Sequence, residues 1–218
     1  AVSETALLTL KSRIIETEKD PPILEDHKGK EILEKICKLI PEETRQRVLD
    51  RKFSPTLTSY ISLRARKFDA FTREFLEDGN GLVVSLGCGF DTRYWRISQQ
   101  NLNYIEVDLP EVIELKKELV GADPGYRMLG CSVLDFRWIG EIGSLQKKKV
   151  LFLAEGLFMY LPEEEVIALF KKLASTFSHS QLVFEAVNRK YTRGFRKKMV
   201  EQKMKRNSGT SAGSSFTY

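Results

Sequence analysis

Histidine and cysteine are scarce in this chain. The two histidines, His27 and His179, do not stand at the i, i+4 spacing of a helical metal pair, and the three cysteines, Cys37, Cys88 and Cys131, form no C-x-x-C pair. A structural zinc needs clustered nitrogen or sulfur ligands, and a disulfide framework needs an even set of cysteines, so neither is expected to organise the fold. Cysteine usage of this kind points to a reducing cytoplasm. No apolar run reaches the length of a membrane span, and the N-terminus lacks the order of charged, apolar and small residues that marks a signal peptide, so neither a membrane nor secretion is expected.

A broad excess of positive charge is missing too. The formal net charge is +5, but nine of the 35 basic residues lie between Arg189 and Arg206 against a single acid, Glu201, and the rest of the chain is slightly acidic. A local run of this kind reads first as a solvated helix face; a nucleic-acid-binding module built on it is an alternative.

What is present is enough apolar sequence, 42% of 218 residues, to bury a sizeable core in one domain. The first part is helical in pattern. Ser3 is placed to cap a segment with Ala6, Leu7, Leu10, Ile14 and Ile15 at helical spacing, ending before Pro21-Pro22. Ile32, Leu33, Ile36, Leu39 and Ile40 form the stripe of a second helix stopped by Pro41, and Ile61, Leu63, Ala65, Phe68, Phe71, Phe75 and Leu76 that of a third, from Tyr60 to Asp78. From Leu82 the pattern changes to β-rich runs at 82–87, 103–108, 126–130, 149–155 and 181–187, with helices starting at Pro110 and Pro162. Such alternation implies an α/β fold with a doubly wound, mostly parallel sheet. The expected organisation is one domain over 1–218, with a helical cap at 1–59 and a Rossmann-like core at 60–218. The small polar ending "NSGTSAGSSFTY" has the composition of a loop, so the native chain is expected to continue past Tyr218.

The stretch "LVVSLGCGFDTRYWR" (82–96) opens like a nucleotide-binding strand and turn, then departs from the glycine pattern. Gly87 and Gly89 allow backbone to approach a ligand beyond the strand end. Glu106 and Asp108 follow near the spacing of about 20 residues at which an acid meets ribose hydroxyls. An adenosine ligand is therefore expected. Where a third glycine would serve a diphosphate there is instead Asp91, and a carboxylate in that turn opposes a phosphate at the helix N-terminus. S-Adenosylmethionine carries no phosphate and has a cationic sulfonium and ammonium, so it fits an acid-bearing turn. Asp91 serves equally well as a helix N-cap. A nicotinamide-dependent oxidoreductase on a similar sheet is the rival reading, and the missing glycine and Asp91 count against it.

Five ordered blocks, "SETALLTLKSRIIETEKDP", "SLRARKFDAFTREFL", "VVSLGCGFDTRYWR", "IEVDLPEVIELKK" and "LFLAEGLFMYLPEEE", resemble the leucine carboxyl methyltransferase family, which includes O-methyltransferases of polyketide-type pathways. The resemblance implies a class I methyltransferase fold with an N-terminal helical cap and S-adenosylmethionine as cofactor. It implies Arg64 as the arginine holding the methionine carboxylate, with Lys11, or Arg13 in its place, as a second basic contact. Gly87 resembles the glycine of the cofactor turn, Asp108 the ribose acid with Glu106 beside it, Ser132 and Val133 the positions framing adenine, and Glu155 a cofactor-contacting acid at the end of the fourth strand. Ser132 stands where the family often has an acid.

A carboxylate acceptor is already ionised at neutral pH and needs alignment more than acid–base help, whereas a hydroxyl acceptor needs a general base that no residue here obviously supplies. The implied acceptor is a small molecule or a protein C-terminal carboxylate. Tyr160 and Arg93 are candidates to border it, with core packing and a surface ion pair as their plainer roles. Cys88, between two glycines, reads as a small buried filler.

Overall fold

The computed structural model describes residues 4–97, 102–121, 123–143 and 149–186. Five strands form one sheet: β1 (Gly81–Leu86), β2 (Asn103–Asp108), β3 (Arg127–Gly130), β4 (Lys149–Ala154) and β5 (Ser180–Phe184). Their order is β3-β2-β1-β4-β5, and every described pairing is parallel. Strand order reverses beside β1, where an open sheet of this kind leaves a crevice at its C-terminal edge.

Alternation along the strands divides the core in two. Leu82, Val84 and Leu86 of β1, with Ile105, Val107, Val150 and Phe152, point to one face and pack on Trp138, Ile139 and Ile142 of α7 (Arg137–Ile142) and Leu169 and Leu173 of α8 (Glu163–Thr176). Val83, Tyr104, Leu151 and Leu153 point to the other face, against Phe68, Phe75 and Leu76 of α4 (Pro55–Leu76) and Ile97 of α5 (Arg93–Ile97). With both faces covered, β1 is buried throughout and β4 from Val150 on, which is why their sequences read as nearly continuous apolar runs. The expected doubly wound sheet is therefore present.

The cap is a separate cluster. Leu7, Leu10 and Ile14 of α1 (Glu4–Thr17) meet Ile32, Leu33 and Ile36 of α2 (His27–Leu39), and the pair closes on Phe90 and on Leu119 of α6 (Pro110–Val120). Asp26 caps α2 by accepting from the Gly29 amide (2.9 Å). Helix α4 begins at Pro55, ahead of the expected Tyr60, because Ser54 accepts from the Leu57 amide (3.2 Å) and proline suits the first turn. Leu63 and Phe71, read as part of its buried stripe, are exposed. A further helix, α3 (Glu42–Asp50), gives little apolar signal in sequence; Glu42 and Glu43 in its first turn complement the helix dipole.

Candidate cofactor site

A pocket of about 500 Å³ lies at the C-terminal ends of β1, β2 and β4, with α1 and α4 along its side. Its floor is the turn after β1. Gly87 (φ 62°) and Gly89 (φ 47°) lie in the left-handed region that side chains disfavour. A Cβ at Gly87 would also stand 2.7 Å from the Leu157 side chain. The Gly87 amide donates to the Val107 carbonyl (2.8 Å), and the Gly89 amide to Asp108 Oδ2 (2.7 Å). Asp108 Oδ1 accepts from the Leu109 amide (2.7 Å), so the acid ending β2 is tied to the glycine turn and fixed at the pocket wall.

On the other side, Arg64 of α4 donates from Nε to Glu155 Oε1 (2.9 Å) and from Nη1 to Glu185 Oε2 (2.9 Å). Burial opposes its charge, but the two carboxylates outweigh it and raise the guanidinium above its ordinary range. Gly156 (φ 66°) follows Glu155, and a Cβ there would lie 3.6 Å from Arg64 Nη1. Arg64, Glu155, Gly87, Gly89, Asp91 and Asp108 all line this one pocket.

Beneath the pocket runs a layer of ion pairs. Arg93, fully buried, donates to Asp69 (2.8 Å), Asp91 (2.6 Å) and Glu155 (2.5 Å), one acid each from α4, the glycine turn and the end of β4. Arg96 binds Asp69 (2.7 Å) and Asp91 (3.0 Å). Asp26 joins the cap to this layer: it accepts from Arg13 Nε (2.7 Å) and from the Thr92 hydroxyl (2.5 Å). Burial acts to raise the Asp26 and Asp91 carboxyls, but the facing arginines prevail and hold both below the usual range. Asp91 also accepts the Thr92 amide (2.8 Å) just before α5, so its oxygens are engaged in the turn although it reaches the pocket wall.

Four residues read as cofactor contacts do not line this pocket. Lys11 lies in another groove, between α1, α2 and α3, where Nζ donates to the Arg51 carbonyl (3.2 Å) and stands 5.1 Å from the Phe53 ring centre. Its alternative, Arg13, does reach the pocket wall, with its guanidinium committed to Asp26 and to the Phe90 carbonyl (2.8 Å). Glu106 is fully buried, accepting from Lys116 Nζ (2.8 Å) and the Tyr126 hydroxyl (3.0 Å). Burial pushes its carboxyl up, and the Lys116 ammonium pulls it back. Lys116 also donates to the Asp91 carbonyl (2.7 Å), bracing the glycine turn from below. Val133 is buried in the sheet core, its carbonyl accepting from Trp138 Nε1 (3.0 Å), and Ser132 Oγ accepts from the Leu134 amide (3.2 Å).

Of the two residues read as bordering an acceptor, Tyr160 lines the pocket and is half exposed, whereas Arg93 is sealed within the ion layer. Cys88 is buried, and burial pushes its thiol well up, as a filler requires. Sequence reasoning missed Asp26, Asp69, Lys116 and Glu185. Only Glu185 left a trace: "LVFE" repeats the form of "FLAE", an apolar strand ending on an acid at the sheet's C-terminal edge. The basic run at 189–206 lies outside the described residues. Among the described residues, no helix is long and apolar enough to cross a membrane.

Residues 6–174 match the leucine carboxyl methyltransferase family. The tetracenomycin polyketide synthesis O-methyltransferase TcmP of Streptomyces glaucescens is 31% identical over 193 residues, covering 85% of this chain and 66% of that protein. The S-adenosyl-L-methionine-dependent methyltransferase dpfgK of Gibberella zeae is 30% identical over 186 residues, covering 81% of this chain and 62% of that protein. The chain thus spans less than two thirds of the length of these curated relatives. A crystal structure of a protein from Thermobifida fusca YX, provisionally assigned as a methyltransferase, aligns over 91% of this chain and 73% of that one, with a TM-score of 0.51 at 16% identity. That likeness is one of fold, and it agrees with a class I, Rossmann-like methyltransferase architecture. With the family match running from α1 into α8, the chain belongs to the leucine carboxyl methyltransferase family.

Proposed function

We propose that this chain is an S-adenosylmethionine-dependent O-methyltransferase that binds its cofactor in the pocket at the ends of β1, β2 and β4. The observation that carries the reading is the gathering, in one pocket, of two left-handed glycines, the turn-anchored carboxylate of Asp108 and the Arg64–Glu155 pair. Left-handed glycines admit a ligand close to backbone. Asp108 is set to accept ribose hydroxyls, and Arg64 to donate to an amino-acid carboxylate. Asp91, Asp108, Glu111 and Glu155 outnumber Arg13 and Arg64 on the wall and leave it acidic on balance. That charge suits a cationic ligand and opposes a dinucleotide diphosphate, which disfavours the oxidoreductase reading.

When bound, S-adenosylmethionine supplies a methyl group on a sulfonium, which an acceptor oxygen takes as the carbon–sulfur bond breaks and its electron pair returns to sulfur. The part of this chain is to hold and orient. Glu106 and Lys116 act from beneath the glycine turn rather than on the ligand. Helix α1 lies over the turn, Ala6 Cβ standing 3.6 Å from where a Gly89 Cβ would be, and Thr5 and Thr9 beside it line the pocket; the helices of 1–59 serve as its cap within a single methyltransferase domain. The acceptor is an oxygen of a small molecule or a protein C-terminal carboxylate, and a carboxylate needs no base. Three unpaired thiols suit a reducing cytoplasm.

Calorimetry with S-adenosylmethionine, and separately with reduced nicotinamide dinucleotide, tests the cofactor: heat with the first and none with the second is expected, and the reverse would overturn the reading. Methyl esters are cleaved by mild base and methyl ethers are not, so base lability of the labelled product identifies the acceptor oxygen.

A further inference from the structure

Glu185, just beyond β5, continues the sheet ladder by donating its amide to the Ala154 carbonyl (3.2 Å), which sets it beside Glu155. Two adjacent strand ends therefore deliver two carboxylates to one guanidinium. Glu155 Oε1 takes Nε of Arg64 and Glu185 Oε2 takes Nη1, each at 2.9 Å. The second oxygen of each acid is anchored as well: Glu155 Oε2 accepts from Arg93 (2.5 Å), and Glu185 Oε1 from the Tyr60 hydroxyl (2.5 Å). Tyr60 precedes Arg64 by four residues on α4 and so shares its helix face.

A guanidinium is a planar fork of five donors. One contact at Nε would leave the plane free to turn about that bond, whereas a second at Nη1 fixes it. Among the described residues the hydrogen bonds of Arg64 run through Nε and Nη1, not Nη2, while Arg64 lines the pocket. We propose that Glu185, steadied by Tyr60, is a positioning residue: it fixes the plane of Arg64 so that the Nη2 edge faces the pocket and meets the carboxylate of the cofactor's amino-acid end. This rests on the cofactor reading above, and nothing in the sequence resemblance assigns either residue.

The test compares two ligands by calorimetry. S-Adenosylhomocysteine carries the amino-acid carboxylate; 5′-deoxy-5′-methylthioadenosine keeps the adenosine and sulfur without it. Glu185→Gln is expected to weaken S-adenosylhomocysteine about 10-fold and Tyr60→Phe about 3-fold, with methylthioadenosine unchanged within about 2-fold in both. Added to Arg64→Ala, Glu185→Gln should cost S-adenosylhomocysteine no further affinity, since the group it positions is gone. Equal losses for the two ligands would show a merely structural role and overturn the proposal, as would full S-adenosylhomocysteine affinity in Glu185→Gln. Failure of the unaltered protein to bind either ligand would instead overturn the cofactor reading itself, and this proposal with it.

Discussion

From Val150 to Ala154, β4 buries five consecutive residues, all apolar, whereas between the cap and the strand ends the buried side chains include Arg13, Asp26, Asp69 and Arg93, all charged. The sheet core gains from every apolar atom withdrawn from water and cares little which partner supplies the contact. In the ion layer each charge has lost its water, and the loss is offset only while several opposite charges stand at hydrogen-bond distance. Arg93 has three such partners and Asp69 two arginines. The apolar faces thus secure compactness, and the charged layer secures one placement of the cap and of α4 against the glycine turn.

That contrast is most sharply broken at Arg93. Arg93→Met, similar in bulk, takes one cation from each of Asp69, Asp91 and Glu155, leaving Arg96 on the first two and Arg64 on the third, and is expected to destabilise the fold by roughly 3–5 kcal/mol in denaturant unfolding; a loss under 1 kcal/mol would show that the layer contributes little. At the pocket edge, Arg64→Ala should weaken S-adenosylhomocysteine by about 10- to 150-fold, or roughly 1.5–3 kcal/mol, in calorimetry on folded protein. Asp108→Asn should weaken the same ligand and reduce discrimination against its 2′-deoxy form, whereas Glu106→Gln should lower the unfolding free energy and leave that discrimination intact.

Acid separates the two regions next. Asp26 and Asp91 titrate below the ordinary 3.8 of an aspartate in the folded protein, so their contribution is full above that value and is lost as pH falls below it. Unfolding free energy should therefore decline as pH falls from about 4 towards 2, by at least on the order of 1 kcal/mol, and decline less in Arg96→Met, which lacks one of the arginines responsible. The smallest effect belongs to the apolar region. Ile105→Val should cost roughly 0.5–1.5 kcal/mol, as an offset constant across that pH range. A pH-dependent offset would mean that the two regions are coupled.

Legibility followed the same division. The five strands, the two proline-started helices and the cap stripe of Leu7, Leu10, Ile14, Ile32, Leu33 and Ile36 could be read because apolar periodicity is local. The glycine turn could be read because left-handed backbone demands glycine within a few residues. Glu106 and Asp108 looked alike, sharing one strand face and nearly one spacing, and only Lys116, ten residues on, draws Glu106 into the interior while Asp108 stays at the turn. Lys11 and Arg13 were similarly exchangeable. Leu63 and Phe71 looked buried because their spacing fits a helix, yet both are exposed, and Phe71 has the Lys67 ammonium 4.6 Å from its ring centre.

By itself the sequence determined which segments become strands, where backbone turns left-handed and that the turn carries acid, since each follows from a residue's own conformational preference or its near neighbours. Which charges meet was decided only in three dimensions. Arg64 finds Glu155 and Glu185 across 91 and 121 residues, and Thr92 finds Asp26 across 66. No local pattern encodes such pairs, because the free energy of an ion pair depends on separation in space and on exclusion of water, and the parallel sheet supplies both only once β1, β4 and β5 lie side by side.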